Sequence, residues 1–207
     1  MNTLLNPMVL IYDLETSGIN PIRNAVTQIS ACAVSIEDNG RLSPLEAINL
    51  EICPRDGKEV IQKAIELQGL TMEELPSRLE DSVAFGKFLA FLSRYIDRFD
   101  KRNKFSLCGF GNVKFCTPFL RGWFDDNCDG YFGAYFYPEE IDLKVEATKK
   151  LLFKRPFVKS LDLGTVASSF GIPFDSEKTH NSKYDLGIIC KLFQKINQSS
   201  EPFLPAV

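Results

Sequence analysis

Two carboxylates stand two residues apart near the start of the sequence, where Asp13 and Glu15 follow a short apolar run. Residues two apart on a β-strand point to the same face, so both side chains are expected to converge while Leu14 faces the core. Carboxylates this close repel each other unless a cation lies between them. Their hard oxygen atoms suit Mg²⁺ or Mn²⁺. The pair therefore indicates a metal site, although a solvated strand end carries the same pattern.

A second pair of candidate residues, His180 and Asp185, stands near the other end of the sequence. Asp185 is predicted in the first turn of an amphipathic helix, where the helix dipole alone also stabilises an acid. His180 is the only histidine and falls in the loop ahead of that helix. Histidine is the side chain best suited to accept a proton near neutral pH. His180 is therefore a candidate general base, although a loop histidine is more often an ordinary surface residue.

The elements that must position these residues are a three-stranded meander and a set of helices around one further strand. Strands are predicted at residues 8–13, 25–36, 47–52 and 105–110, with a hairpin turn at 38–40. Helices are predicted at residues 59–67, 79–99, 113–124, 141–152, 161–170 and 183–196. In the second of these, one broad apolar face is expected to contain Val83, Phe88, Leu92, Tyr95, Ile96 and Phe99. This order predicts an α/β or α+β layered fold.

Four segments in this order resemble the motifs of the DEDDh-type 3′→5′ exonucleases, a group within the DnaQ-like, ribonuclease H-like superfamily. Residues 11–18 read IYDLETSG and residues 64–71 read AIELQGLT, with Gln68 where the family usually has histidine. Residues 109–120, which resemble the second motif of the family, read GFGNVKFCTPFL, and residues 180–185 read HNSKYD. The similarity extends over about residues 8–194. The segment at 109–120 and the aromatic stretch after it resemble phage or prophage exonucleases more than they resemble the bacterial proofreading subunit.

The resemblance implies a ribonuclease H-like α/β fold with a mixed central sheet of about five strands, the first three antiparallel, flanked by helices. It implies one exonuclease domain over residues 1–198 and a loose tail at 199–207. It further implies that Asp13, Glu15 and Asp185 bind the catalytic metal, that Asp13 also contacts a second metal, and that His180 deprotonates the attacking water. The residues implied to contact the 3′-terminal nucleotide are Thr16, Ser17, Leu67 (a wedge), Gln68 and Asn112 (which also braces the second motif).

Cys116 departs from the family pattern, because the second motif normally carries an aspartate at this position. A neutral thiol supplies no hard anionic oxygen, and a thiolate is a soft ligand that Mg²⁺ disfavours. The substitution is expected to weaken the second metal site and to leave the other acids and His180 intact. Three explanations stay open: a variant engineered to stop turnover, a natural exonuclease of reduced or altered activity, or a catalytically impaired nuclease-like protein that binds nucleic acid.

The composition fits one soluble globular domain, with 207 residues, 44% hydrophobic residues and 25% charged residues. A net charge of −3 argues against clamping of a long duplex and favours single-stranded DNA or RNA 3′ ends as the substrate. No apolar run approaches the roughly 18 residues of a membrane helix, and residues 1–9 lack the pattern of a signal peptide. We therefore expect no membrane association, a cytoplasmic location and reduced cysteines, several of them small core residues.

Three further features leave alternatives open. The basic clusters at 101–104 and 149–159 are typical of a phosphate-tracking surface and equally of a solvated one. The aromatic rings at 131–137 could stack on bases, cover the edge of the sheet or form a homodimer contact. The chain has no room for a polymerase domain, so proofreading would require a polymerase or replication partner.

Overall fold

A computed structural model gives the fold and describes residues 6–37 and 41–198. One five-stranded sheet has the order β3-β2-β1-β4-β5, with β1 at Met8–Thr16, β2 at Val26–Ile36, β3 at Leu42–Glu51, β4 at Phe105–Gly109 and β5 at Ile141–Asp142. β2 runs antiparallel to β1 and β3, whereas β4 runs parallel to β1 and β5. The predicted mixed sheet that opens with an antiparallel meander is confirmed. The hairpin turn predicted at 38–40 and the tail predicted at 199–207 lie outside the described residues.

Helices cover both faces of this sheet. They are α1 (Gln62–Leu67), α2 (Asp81–Leu92), α3 (Cys116–Asp126), α4 (Phe132–Tyr135), α5 (Leu143–Lys150), α6 (Leu163–Ser169) and α7 (Ser182–Gln198). Single 3₁₀ turns occur at Leu75–Ser77, Leu152–Phe157 and Ser176–Lys178. No helix within the described ranges is both long and apolar enough to cross a lipid bilayer.

β1 lies at the centre of the sheet because its side chains are apolar on both faces. Leu10, Tyr12 and Leu14 pack into one core together with residues of α2 and α3. Val9 and Ile11 point the other way, into a second core formed with α5, α6 and α7. The end of β1 therefore lies between two helical layers, and the expected burial of Leu14 is confirmed.

The helix predicted at 79–99 is shorter in the structure, where α2 ends at Leu92. Further along, the side chain of Asp97 accepts a hydrogen bond from the backbone N–H of Phe99 at 3.0 Å, and such a turn is incompatible with a helix that continues to residue 99. Of the residues predicted to share one broad apolar face, Val83 and Phe99 are 45% and 83% exposed. The buried face is instead formed by Ala84, Phe85, Phe88, Phe91 and Leu92.

Two other helix boundaries differ from the prediction. α1 begins at Gln62 rather than at Glu59, because the backbone N–H of Ile61 donates to the carbonyl of Ser17 at 2.8 Å and holds this segment extended. Residues 141–142, predicted as helix, form the short strand β5 before α5 begins. The side chain of Asp142 then accepts the backbone N–H of Lys144 at 2.9 Å and caps α5.

The aromatic segment after α3 covers the edge of the sheet. Phe132, Tyr135 and Phe136 are buried against Phe124, and the backbone N–H of Tyr137 donates to Phe105 in β4 at 2.9 Å. These buried rings have no face free for a base. Of the alternatives for this segment, the structure supports edge coverage and contradicts base stacking by the buried rings.

All six cysteines are present as free thiols. Cys32 and Cys108 are buried in the second core, as predicted for small core residues. Cys116 is also buried, at the first turn of α3.

Candidate active site

Three carboxylates meet where the end of β1 faces the start of α7. Asp13 and Glu15 project from the same face of β1, and Asp185 lies in the first turn of α7. One ligand atom from each carboxylate lies within 4.8 Å of the others. A β-bulge follows Glu15, where the pairing with β2 shifts by one residue. The structure thus brings together the three acids that the sequence singled out.

α7 is fixed over the sheet by a buried contact at its first residue. The hydroxyl of Ser182 lies 2.8 Å from the hydroxyl of Ser30 on β2, and both residues are fully buried. Ser30 pairs with Asp13 across the strands, so this contact holds α7 beside the acids of β1. Leu186 and Ile189 then bury the inner face of the helix. These contacts determine where the carboxylate of Asp185 lies.

Burial raises the pKa values of all three carboxylates, and neighbouring acids raise those of Asp13 and Glu15 further. Burial, followed by the charges of Glu15 and Asp185, raises the pKa of Asp13 well above its ordinary value. Burial and the charge of Asp185 raise the pKa of Glu15 to about 8. Burial raises the pKa of Asp185 to about 6. Three buried acids this close together ionise only at an electrostatic cost. A bound cation would remove that cost by stabilising the charged carboxylates.

His180 lies at the rim of the same site in the loop before α7. Its backbone N–H donates to Oδ2 of Asp185 at 3.1 Å, and its side chain is exposed in the cleft beside the acids. The backbone of His180 has a φ of 60°, a left-handed conformation that is uncommon for residues other than glycine. Such conformations persist where surrounding contacts impose them, often at functional sites. The loop thus holds the imidazole close to Asp185.

A cleft of about 400 Å³ opens over the acids. Its other lining residues include Thr16, Leu67, Phe110, Phe115, Cys116 and Leu163. Leu67 is 52% exposed and projects from the end of α1, where a wedge against a terminal base was expected. Thr16 lines the cleft, but its hydroxyl donates to the carbonyl of Gly18 at 2.6 Å.

Ser17 does not line the cleft and is fully buried. Its hydroxyl donates to the carbonyl of Glu59 at 2.7 Å and accepts the N–H of Ala25 at 2.9 Å. The hydroxyl of Ser17 is therefore engaged within the protein, and the expected contact of this residue with the 3′-terminal nucleotide stays a prediction. Ser17 fastens the turn after β1 to the segment that leads into α1.

Gln68 lines the cleft, but its amide is used within the protein. Nε2 donates to the carbonyls of Thr16 at 2.9 Å and Ala64 at 3.0 Å, and Oε1 accepts the hydroxyl of Thr27 at 2.9 Å. The side-chain amide of Gln68 is therefore engaged within the protein, and its expected contact with the 3′-terminal nucleotide stays a prediction. The residue ties the end of α1 to the end of β1.

Asn112 is completely buried beneath the second motif and does not reach the cleft. Its Nδ2 donates to the carboxylate of Glu140 at 2.8 Å, and Thr117 donates to the same oxygen at 2.5 Å. The hydroxyl of Thr117 also lies 2.6 Å from that of Tyr12 on β1. These contacts are those of the expected brace for the start of α3, and the expected contact of Asn112 with the 3′-terminal nucleotide stays a prediction.

Comparison with known proteins finds a ribonuclease and a DNA polymerase among the relatives, although no family model matches the chain. Ribonuclease T of Hahella chejuensis is 29% identical over 196 residues, which cover 90% of this chain and 82% of that protein. The PolC-type DNA polymerase III of Mycoplasmopsis pulmonis is 25% identical over 190 residues. Exonuclease I of E. coli, in a zinc-bound complex with single-stranded DNA, has the same fold with a TM-score of 0.72 and 16% sequence identity. The chain is a homologue of the DnaQ-like 3′→5′ exonucleases.

This DnaQ-like homologue spans only part of two of these relatives. The match covers 92% of the chain but 11% of the polymerase. The superposition covers 96% of the chain but 42% of exonuclease I. Its likeness to exonuclease I confirms the ribonuclease H-like fold predicted from the motifs.

Cys116 occupies the position where an aspartate was expected from the resemblance to the exonuclease motifs. It is 5% exposed at the first turn of α3 and lines the cleft with the acids. Burial, followed by the nearby charge of Asp13, raises the pKa of its thiol well above the ordinary value. The side chain beside Asp13 is therefore a neutral thiol.

Proposed function

We propose that the chain is a metal-dependent 3′→5′ exonuclease that releases nucleoside monophosphates from the 3′ ends of single-stranded nucleic acid. The observation that carries this proposal is the cluster of Asp13, Glu15 and Asp185 at the base of a cleft in a relative of exonucleases. The same arrangement would serve no purpose in a structural protein, because three crowded carboxylates destabilise the fold.

The residues of the cluster fit a divalent metal. The donor set is three carboxylates, which suits Mg²⁺ or Mn²⁺. Oδ1 of Asp185 is buried and has no hydrogen-bond partner, as expected of an atom that completes its contacts with an ion. Asp13, Glu15 and Asp185 would hold the catalytic metal, and Asp13 would share a second one. Bound there, the ions would supply an acidified water and neutralise charge on the phosphate.

The chain's own residues have separate roles in this proposal. His180 would accept the proton of the attacking water, since its side chain stands exposed at the rim of the cleft. The hydrogen bond from the backbone N–H of His180 to Asp185 holds the histidine beside the carboxylate. Leu67 would lie against the terminal base, and Thr16 would border the terminal sugar through its backbone.

Cys116 would weaken the second metal site. A buried neutral thiol beside Asp13 offers no anionic oxygen, so the second ion would be held by fewer hard ligands. We therefore expect lower turnover than in a protein with four acids. The same observation favours a second candidate function, a catalytically impaired nuclease-like protein that binds nucleic-acid 3′ ends.

The test is trimming of a 5′-labelled single-stranded oligonucleotide in Mg²⁺ and in Mn²⁺. Cys116→Asp should raise the rate strongly, whereas Glu15→Ala or His180→Ala should abolish it. Cys128→Asp is the matched control, because this cysteine is exposed and does not line the cleft. If Cys116→Asp bound the oligonucleotide but trimmed nothing, the exonuclease proposal would give way to the binding function.

The substrate and partner proposals rest on the relatives. Exonuclease I of E. coli has been crystallised with single-stranded DNA and with a dT13 oligonucleotide, which supports single-stranded 3′ ends as the substrate. The match to a PolC-type polymerase supports the proposal that this chain acts together with a polymerase or replication partner. One exonuclease domain over residues 1–198 and a homodimer stay predictions.

A further inference from the structure

We infer that a basic and aromatic surface beside the cleft binds the upstream part of the single strand whose 3′ end enters the proposed active site. This surface, called here the strand-binding surface, is formed by Lys144, Lys149, Phe153, Lys154, Arg155 and Phe157. The inference rests on the proposed function and extends it from the terminal nucleotide to the nucleotides that precede it.

The first support is the exposure of large aromatic side chains. Phe153 is 98% exposed and Phe157 is 88% exposed, both in the 3₁₀ turn at Leu152–Phe157. Two neighbouring apolar residues, Val145 and Leu152, are 52% and 61% exposed. Two fully presented phenyl rings four residues apart are costly in water without a partner, and every base has a π-face that can cover one.

The second support is a local excess of positive charge. Residues 141–159 contain six basic residues and two acidic ones, in a chain with a net charge of −3. Of the two acids, Asp142 is occupied in capping α5, and Glu146 lies 2.7 Å from Lys149 in an exposed pair that a phosphate can replace. Basic residues also alternate with the aromatic ones at 153–159. Aromatic rings interleaved with cations fit a single-stranded polyanion better than an apolar protein partner.

The third support is continuity with the cleft. A groove of about 540 Å³ runs between the start of α3 and α5, lined by Lys114, Phe115, Lys144, Lys149 and Leu152 among others. Phe115 also lines the cleft over the acids, and Lys144 lies 5.8 Å from the ring centre of Phe110, another residue of the cleft wall. The eight residues of α5 extend for about 12 Å, the length of about three stacked nucleotides. A strand leaving the cleft past Phe115 would therefore meet Lys144, Lys149 and then Phe153.

The test compares binding of 5′-fluorescein-labelled dT20, long enough to reach the surface, with that of dT4, which fills little beyond the cleft. Fluorescence anisotropy in Ca²⁺ measures affinity at several salt concentrations. Phe153→Ala with Phe157→Ala should weaken dT20 about 10-fold or more and leave dT4 unchanged. Lys144→Gln with Lys149→Gln should reduce the slope of log K against log salt by about 1.4, or about 0.7 for each lost phosphate contact.

Matched controls are exposed residues that do not line the groove. Phe99→Ala removes an equally exposed ring, and Lys87→Gln with Lys101→Gln removes two exposed charges outside the groove. If the surface variants bound dT20 as the controls do, while the wild type trimmed oligonucleotides, this inference alone would be overturned. If the surface variants changed the protein from dimer to monomer in sedimentation without changing dT20 affinity, the surface would be a contact between copies. A wild type that neither trims nor binds oligonucleotides would overturn both this inference and the proposed function.

Discussion

Replacing Glu15 with glutamine should make the metal-free protein more stable, although Glu15 belongs to the proposed catalytic site. Burial and the charge of Asp185 raise its pKa from the ordinary value of 4.5 to about 8. An acid whose pKa is raised by folding costs no stability below pH 4.5, and the cost grows as pH rises towards 8. The full difference corresponds to roughly 5 kcal/mol at 1.36 kcal/mol per pKa unit, an upper limit because buried sites relax.

We therefore expect Glu15→Gln to stabilise the protein in EDTA at pH 9 by about 2 kcal/mol, which corresponds to a rise in Tm of about 4–8 °C for a chain of this size. Thermal unfolding followed by circular dichroism from pH 5 to 9 measures this. The gain should vanish near pH 5 and reverse when Mn²⁺ is added, because only the wild type keeps all three ligands. Glu73→Gln, at an exposed site outside the cleft, is the control. A variant no more stable than the wild type at pH 9 would show that the cluster carries no electrostatic strain.

The remaining predictions concern the same site and its supports. Mg²⁺ affinity should rise between pH 6 and 8, because Glu15 has a pKa of about 8 and must release its proton on binding; titration calorimetry in two buffers measures that proton. Cys116→Asp should lower Tm in EDTA, because it buries a fourth acid, and should show a larger rise in Tm with Mn²⁺ than the wild type. Gln68→Ala should lower the free energy of unfolding, measured in urea, by about 2 kcal/mol, because it leaves the hydroxyl of Thr27 and two carbonyls without their partner. Asp81→Ala should cost about 3 kcal/mol, because Asp81 accepts the indole N–H of the buried Trp123 at 2.7 Å; an unchanged Tm would contradict that role.

Strand patterns and motif order were sufficient to predict the sheet and its acids. Alternation and turn residues determine a meander locally, and residues two apart on a strand must share a face, so Asp13 and Glu15 could be paired from the sequence. The approach of Asp185 could not be derived from periodicity and came from the resemblance. Its position depends on the contact between Ser182 and Ser30, which joins distant parts of the chain.

The hydrogen-bond partners of Gln68, Ser17 and Asn112 could not be read from the sequence, because each partner lies far along the chain. Gln68 meets the hydroxyl of Thr27, and Asn112 meets the carboxylate of Glu140. Motif position alone suggested substrate contacts for all three. β5 was missed because two residues are too few to show a strand period.

The third carboxylate of the site is synthesised well after the other two. β1 carries Asp13 and Glu15, whereas Asp185 lies on α7, much further along the chain. Chains fold as they emerge from the ribosome, so a nascent chain carries two of the acids before the third can dock through Ser182. The hydrolysis proposed for this site therefore cannot begin before α7 has been synthesised and has packed on the sheet.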